Sequence, residues 1–360
     1  KDIFHTFVKN EIGMKGVKNP FLVKGYLTKE LFCNREKELE VLYENVSNGI
    51  DTTLISPRRI GKTGLILRFF DYLKEKKWGE SVYVDIYASR GLEDFIRMLA
   101  EAILLKFPEK TSIGKRFMHF LKGLRPLIGY DALTGEPQVQ IVYHTPQERE
   151  NTLKGLLDFL DMQNVPIVLA IDEFQQIASY PEDNVEALLR THVQHCTNAR
   201  FIFAGSQRHV MGNMFLSASR PFYQSVSMMY LESIDLAEYA AFARAHFEKG
   251  GRQIEPGTVE SIYERFDGIT WYVQKMLNTL YSITPEKGQC TVKMIPAALQ
   301  NILDSNNYTF QEILFRLPER QKQLLIAINK EGEARAVTSG GFVKKNSLPS
   351  PSSVQAALKG

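Results

Sequence analysis

Apolar positions in the first two thirds of the chain alternate between short continuous runs and stretches with helical spacing. The continuous runs are typical of strands that helices cover on both faces, because such strands need no polar side. Strands are predicted at residues 52–55, 81–87, 166–172 and 199–205. Helical spacing follows each of these runs, as in the apolar face that follows residue 64. This alternation predicts an α/β fold with a parallel sheet and helices on both faces.

After residue 230 the pattern becomes helical, with predicted helix starts near Ser233, Pro256 and Gly268. Further short helices are predicted at 310–317, 318–329 and 351–358, and residues 342–348 connect the last two. Three helices of this size are typical of a winged-helix module, which we expect to be incomplete at Gly360. The predicted domains are a lead-in at 1–34, a sheet domain at 35–230, a helical lid at 231–305 and a winged-helix-like module at 306–360.

A phosphate-binding loop is predicted between the first strand and the helix that follows it. Gly61 lets the main chain approach phosphates, Lys62 reaches the β- and γ-phosphates, and the Thr63 hydroxyl holds Mg²⁺. The helix N-terminus adds its positive end. Ser56 stands where the pattern G-x-x-x-x-G-K-[ST] has its first glycine. The residues predicted to contact nucleotide here are Ser56, Pro57, Arg58, Arg59, Ile60, Gly61, Lys62, Thr63 and Gly64. A helix start without a ligand is the alternative.

An acidic pair, Asp172 and Glu173, ends the apolar run that begins at Pro166. A buried parallel strand delivers such residues to the carboxyl edge of the sheet, where α/β proteins bind ligands. Asp172 is predicted to hold Mg²⁺ through water, and Glu173 to polarise the attacking water. Acids at a helix N-terminus are the alternative, because the helix dipole favours them there.

Polar residues also follow the strand at 199–205. Ser206 and Gln207 are candidates to face the γ-phosphate from this neighbouring strand and to report whether it is present. A polar strand end that enters a loop is an equally weighted alternative.

Arginine side chains decide whether such a site hydrolyses nucleotide. A guanidinium group that contacts the charge developing in the transition state accelerates phosphoryl transfer by about 10³–10⁵. Arg208 and Arg220 are the candidates for this role, either in cis or from a neighbouring subunit. For Arg58 and Arg59, packing against the lid or an interface is at least as strong an interpretation.

Composition indicates a soluble, cytoplasmic protein. The 360 residues carry a net charge of only +3, so no overall basic surface points to nucleic acid. The three cysteines, Cys33, Cys196 and Cys290, are widely spaced, which favours reduced thiols over disulfides or a metal site. No apolar run reaches the roughly 18 residues that a membrane span needs.

On these motifs the chain resembles P-loop ATPases of the AAA-related STAND type, and more narrowly the archaeal-type ATPase family also found in gut Bacteroidetes. The resemblance spans about residues 20–358 and is carried by residues 56–63, 172–175, 205–209, 221–223 and 271–274. It implies an ATPase core, a helical lid and a winged helix that respond to ATP, ADP and Mg²⁺ as a switch. Thr270 stands where related switches carry proline in the lid.

Three hypotheses about function follow. The first is a Mg²⁺-dependent, ATP-hydrolysing switch in which the lid closes on ATP and a partner surface changes after hydrolysis. The second is an ATP-dependent DNA-binding protein that resembles replication initiators, supported by Lys344 and Lys345 before the last helix. The third is a scaffold that binds nucleotide without hydrolysis, suggested by Ser56 and Thr270. Self-association, a protein partner and duplex DNA at the C-terminal module are left open, and no membrane partner is expected.

Overall fold

The computed structural model describes residues 18–124, 126–332 and 334–359. The chain divides into two compact units, with the boundary between Ile295 and Pro296. This boundary lies inside the segment predicted as a lid, at the start of a helix. Each unit is described by itself.

The strands of the first unit form one large sheet and two small ones. They are β1 (Thr52–Ile55), β2 (Glu80–Asp85), β3 (Leu127–Tyr130), β4 (Pro137–Gln140), β5 (Ile167–Asp172), β6 (Ala199–Gly205), β7 (Ser227–Tyr230), β8 (Gln253–Ile254) and β9 (Gln289–Cys290). The large sheet has the order β2-β5-β6-β1-β7, and its strands are parallel throughout. The predicted parallel sheet is therefore confirmed, and the edge strand β7 adds to it.

Ten helices of the first unit lie in sequence before, between and after these strands. They are α1 (Glu36–Ser47), α2 (Lys62–Glu75), α3 (Leu92–Lys106), α4 (Ser112–Lys122), α5 (Pro146–Asp161), α6 (Val185–Val193), α7 (Arg208–Leu216), α8 (Leu236–Lys249), α9 (Thr258–Arg265) and α10 (Thr270–Ile283), counted over the described residues. Short 3₁₀ segments at Lys29–Leu31, Phe174–Ser179 and Val292–Met294 complete the unit.

Successive residues of the central strands face two different hydrophobic cores. Leu169 and Ile171 of β5 join the core formed with α3, α5 and α7, whereas Val168 and Ala170 join the core formed with α1 and α2. This follows from the two-residue period of a strand. Because both faces of these strands are buried, their sequences are continuous apolar runs. The prediction of helices on both faces of the sheet is confirmed.

Helix α4 and the β3–β4 hairpin lie between α3 and α5, in a region whose pattern was hard to interpret. A turn at 131–136 joins the two strands of the hairpin, and the Asp131 carboxylate accepts the N–H groups of Leu133 and Thr134 at 2.9 and 2.8 Å. Helix α4 was not predicted, although Thr111 caps it by accepting the Gly114 N–H at 2.9 Å. None of the helices among the described residues has the length and apolar character needed to cross a bilayer.

The second unit is helical. Its helices are α11 (Ile295–Ser305), which begins one residue before the boundary, α12 (Asn307–Arg316), α13 (Glu319–Glu331), α14 (Gly340–Lys345) and α15 (Pro351–Lys359). The prediction that residues 342–348 only connect two helices was wrong, because α14 occupies part of this segment. Its six residues are too few to show a helical period, and its first turn contains Gly340 and Gly341. A core that includes Leu324, Phe342 and Val354 joins α13, α14 and α15.

Candidate functional site

The loop between β1 and α2 turns at two left-handed residues. Gly61 has φ 105° and Arg59 has φ 71°, and glycine is the residue that most readily adopts such angles. Ser56, in contrast, has an ordinary negative φ. It is buried, its N–H donates to the Gly205 carbonyl of β6 at 3.2 Å, and its hydroxyl donates to the Pro57 carbonyl at 3.1 Å. The position that usually holds glycine therefore does not require one here.

Lys62, at the start of α2, lies between the two predicted acids. Its ammonium group forms a close ion pair with Asp172 and a second one with the Glu173 Oε1, at 3.2 Å. The Lys62 and Asp172 side chains are only 7% and 3% exposed. Burial of the two opposite charges together avoids the cost that either would carry alone.

Two hydroxyl groups complete the surroundings of the Asp172 carboxylate. Thr63 Oγ1 donates to its Oδ2 at 2.7 Å, and the Tyr83 hydroxyl of β2 donates to the same oxygen at 3.0 Å. Burial, reinforced by the negative charge of Asp172, raises the pKa of Tyr83 well above its usual value. Tyr83 thus remains a neutral donor that fixes the orientation of Asp172.

Glu173 is held by its backbone and by two side chains. Its φ of 57° and ψ of 37° are left-handed, a strained conformation for a residue other than glycine. Its Oε2 accepts from Ser206 Oγ at 2.9 Å and from Gln175 Nε2 at 2.5 Å. Gln175 is itself buried. The carboxylate is therefore positioned from β6 and from the 3₁₀ segment after β5.

Asp85 is a third carboxylate at this edge and was missed in the sequence. It ends β2, directly opposite Asp172 in the register of β2 and β5. Burial raises the pKa of Asp85, and the charges of Asp172 and Glu173 act in the same direction. Its place near the end of the strand predicted at 81–87 was the available signal, but the sequence did not show that β2 and β5 are adjacent. Lys62 pairs with Asp172 and Glu173, and its charge also acts on Asp85 in the direction that lowers the pKa of Asp85.

These polar groups line part of a cleft of about 480 Å³, within the usual range for a small-molecule site. The rest of its wall is largely apolar and comes from the lead-in, α8 and α10. Residues on this wall include Leu22, Val23, Leu31, Phe32, Cys33, Ile234, Tyr239 and Trp271. Burial raises the pKa of the Cys33 thiol to about 12, so the thiol is neutral. No pattern in the sequence indicates that the lead-in contributes to a site.

Arg59 joins the loop to the start of α10. Its carbonyl accepts the Trp271 N–H at 3.0 Å, and its guanidinium carbon lies 4.7 Å from the Trp271 ring centroid and 5.0 Å from that of Tyr272. The guanidinium also donates to the Tyr272 hydroxyl. Arg59 therefore packs against the segment that was predicted as the lid, and Thr270 lines the cleft next to it.

The other predicted arginines have different positions. Arg58 is exposed at the mouth of the cleft. Arg208 lies over the Tyr230 ring, 5.0 Å from its centroid, beside a neighbouring cleft. Arg220 forms an ion pair with Glu186 of α6. Gln207 is exposed and precedes α7. Of the residues predicted after β6, the structure brings Ser206 to the acids, whereas Gln207, Arg208 and Arg220 do not line the cleft.

Two family models match the sequence. One, described as an ATPase domain predominantly from Archaea, matches residues 32–276, and the other, described as a probable winged helix domain, matches residues 308–360. No curated protein matches the chain.

Several solved structures are similar to this one. The Walker-type ATPase PABY2304 of Pyrococcus abyssi has a TM-score of 0.63 at 19% identity, over 94% of this chain and 92% of that one. The Aeropyrum pernix ORC2 protein, solved as ADPNP-ADP complexes, has a TM-score of 0.58 at 17% identity, over 94% and 88%. The Aeropyrum pernix ORC1 protein, solved in complex with DNA, has 0.55 at 14%, over 96% and 87%. At these identities the likeness shows the fold, and the predicted fold class is confirmed.

Proposed function

Because residues 32–276 match its model, this chain belongs to the ATPase family found predominantly in Archaea, and on that premise we propose that it binds ATP with Mg²⁺, hydrolyses ATP and acts as a nucleotide-dependent switch. The predicted resemblance to an archaeal-type P-loop ATPase is confirmed by the same match. Hydrolysis, its Mg²⁺ dependence and the switch are our proposal.

The observation that carries this proposal is the position of Lys62 between Asp172 and Glu173. A phosphate group entering the loop competes with these carboxylates for the same ammonium group. The backbone N–H groups at the N-terminus of α2 add to the attraction for anions. When Lys62 moves to the phosphates, Glu173 loses one partner and keeps Ser206 and Gln175, which leaves the carboxylate able to accept a proton from water.

The residues around Asp172 fit Mg²⁺. This ion binds hard oxygen ligands, keeps several waters, and is usually held by one or two carboxylates together with substrate phosphates. The Thr63 hydroxyl and the Asp172 carboxylate, 2.7 Å apart, supply such ligands, and Asp85 lies next in register. Among the described residues no cluster of three or more His, Cys, Asp or Glu is arranged as a metal site, so the ion is expected to arrive with the nucleotide. When bound, it neutralises charge on the phosphate oxygens.

The apolar wall of the cleft suits the flat base and the sugar. Phe32, Leu31 and Ile234 offer surface on which a base can be buried, and burial of such surface contributes about 25 cal/mol per Å². No guanine-reading Asn-Lys-x-Asp motif occurs in the sequence. The family match supports ATP as the nucleotide.

Nucleotide turnover tests the proposal directly. The purified protein is expected to release phosphate from ATP in the presence of Mg²⁺ and to stop when EDTA is added, because Thr63 and Asp172 would then lack their ion. Phosphate release and ATP affinity should be measured on the same preparation. ATP binding without turnover would contradict hydrolysis and favour a scaffold that only holds nucleotide.

The contact of Arg59 with Trp271 supports the switch, because it couples the phosphate loop to α10. The chain has two tryptophans, so Trp78→Phe leaves Trp271 as a single fluorescent reporter in the cleft wall. In that background, ATP is expected to change Trp271 emission, and Arg59→Ala is expected to remove most of the change. The lost cation–π contacts are worth about 0.5–2 kcal/mol.

Arg58→Ala is the matched control, since it removes the adjacent loop arginine. An ATP-induced change in Trp271 emission that survives Arg59→Ala would show that the nucleotide base quenches the ring directly. Arg59 would then not couple the phosphate loop to α10.

A second candidate function is ATP-dependent DNA binding. It rests on the winged-helix match over residues 308–360 and on the fold shared with ORC1, a protein solved with DNA. Lys345 forms an ion pair with Glu331 at 2.7 Å, so Lys344 is the stronger candidate for a phosphate contact. Stimulation of turnover by duplex DNA would favour this function over a switch that acts on a protein.

A further inference from the structure

Helix α4 presents a stripe of basic residues, two of which are lysines. Lys115, His119 and Lys122 are separated by four and three residues, so they lie on one helix face, and all three are exposed. The helix contains no acidic residue. The stripe extends about 10 Å along the axis, at 1.5 Å per residue. The net charge of +3 for the whole chain does not indicate this local excess of basic residues.

The opposite face of α4 is already occupied. Phe117 and Leu121 are fully buried, and the Phe117 ring lies 4.8 Å from that of Phe159 in α5. A helix that enters a lipid surface needs its apolar face free for the acyl chains. Because the core holds this face, α4 offers a partner only its cations.

The lysines of the stripe also differ from others in the same unit. Lys74 pairs with Asp71 at 3.2 Å, and Lys106 pairs with Glu80 at 2.7 Å. Lys115 and Lys122 have no ion-pair partner within the part of the chain that the structure describes. Uncompensated cations in a row suit an extended polyanion, because each contact releases a condensed counterion.

We propose that the exposed face of α4 binds the phosphate backbone of duplex DNA. A duplex carries one negative charge per about 1.7 Å of its axis, so a stripe of this length faces several phosphates. Duplex DNA is the favoured polyanion because residues 308–360 match a winged helix model, a class of module that reads duplex grooves. Contacts from α4 would add affinity without base specificity. The proposal rests on the second candidate function, duplex DNA binding, and does not depend on ATP hydrolysis.

The test is the salt dependence of binding to a labelled duplex, followed by fluorescence anisotropy between about 50 and 200 mM salt. Two lost phosphate contacts are expected to make the slope of log K against log[salt] shallower by about 1.8 in Lys115→Gln/Lys122→Gln. Lys74→Gln/Lys106→Gln changes the net charge equally at paired lysines and should leave the slope nearly unchanged. The difference should persist in a Lys344→Gln/Lys345→Gln background.

Several results would overturn the proposal. Equal slopes in the two double variants would mean that duplex binding depends only on the net charge of the protein. Absence of duplex binding at low salt would exclude a DNA-binding site on α4. Binding to phosphatidylserine vesicles that requires Lys115 and Lys122, without duplex binding, would assign α4 to a membrane surface instead. ATP turnover without DNA should be the same in all variants, so a failure of hydrolysis and a failure of this site can be told apart.

Discussion

Glu173→Gln is expected to lower the rate of ATP hydrolysis by about 10²–10⁴-fold while ATP binding persists, because an amide cannot accept the proton that a general base takes from water. The geometry adds a second expectation. Glu173 shares Lys62 with Asp172, so the variant removes one competitor for the ammonium group, and ATP affinity should be unchanged or higher. Phosphate release and binding of a fluorescent ATP analogue measure the two effects.

Glu75→Gln is a suitable control, since Glu75 lies on α2 and pairs with Arg68 away from the cleft. It should match the wild type in both assays. Full turnover in Glu173→Gln would exclude this carboxylate as the base. Parallel loss of ATP binding and turnover would mean that Glu173 maintains the structure of the site instead of acting as the general base.

Lys62→Ala is expected to weaken ATP binding by about 10- to 100-fold, the equivalent of the 1.5–3 kcal/mol typical of a hydrogen bond to a charged group. It should also lower the free energy of unfolding of the nucleotide-free protein, because Asp172 remains buried without its cation. Calorimetric titration and denaturant unfolding measure the two consequences separately.

A double variant separates these two roles of Lys62. Lys62→Ala/Asp172→Asn removes both buried charges, so it should recover much of the lost stability and still bind ATP weakly. Lys74→Ala, on the exposed side of the same helix, should affect neither property. Wild-type ATP affinity in Lys62→Ala would mean that the loop does not hold the phosphates.

The sequence predicted the part of the site that depends on local order along the chain. The bounds of β1 and β6 agree with the predicted strands, and the loop before Lys62 and the acids after β5 are where the pattern indicated. These features depend on apolar runs and on glycine at a left-handed turn, which are properties of neighbouring residues. The contribution of Asp85 and Tyr83 to the site depends on which strand lies beside β5, and no single segment of the sequence indicates the strand order.

Side-chain direction was equally hard to predict. Arg208 follows a strand whose end reaches the site, and Arg220 lies further along the chain in Ser219-Arg220-Pro221-Phe222; both were candidates to act on the transferred phosphate. Packing directs Arg208 over the Tyr230 ring and Arg220 to Glu186. The apolar wall from the lead-in was missed for a similar reason. Residues such as Leu22 and Phe32 contribute through a long-range contact and carry no polar motif.

The conformation of the loop has a consequence for how such loops are recognised. Its left-handed angles fall at Arg59 and Gly61, whereas Ser56 is tied to β6 and has an ordinary φ. A search that requires a glycine at the first position would pass over this chain and over any other whose loop is anchored there by the backbone N–H of another residue. A pattern that describes the backbone angle required at each position, together with the lysine and the hydroxyl that follow, would retain them.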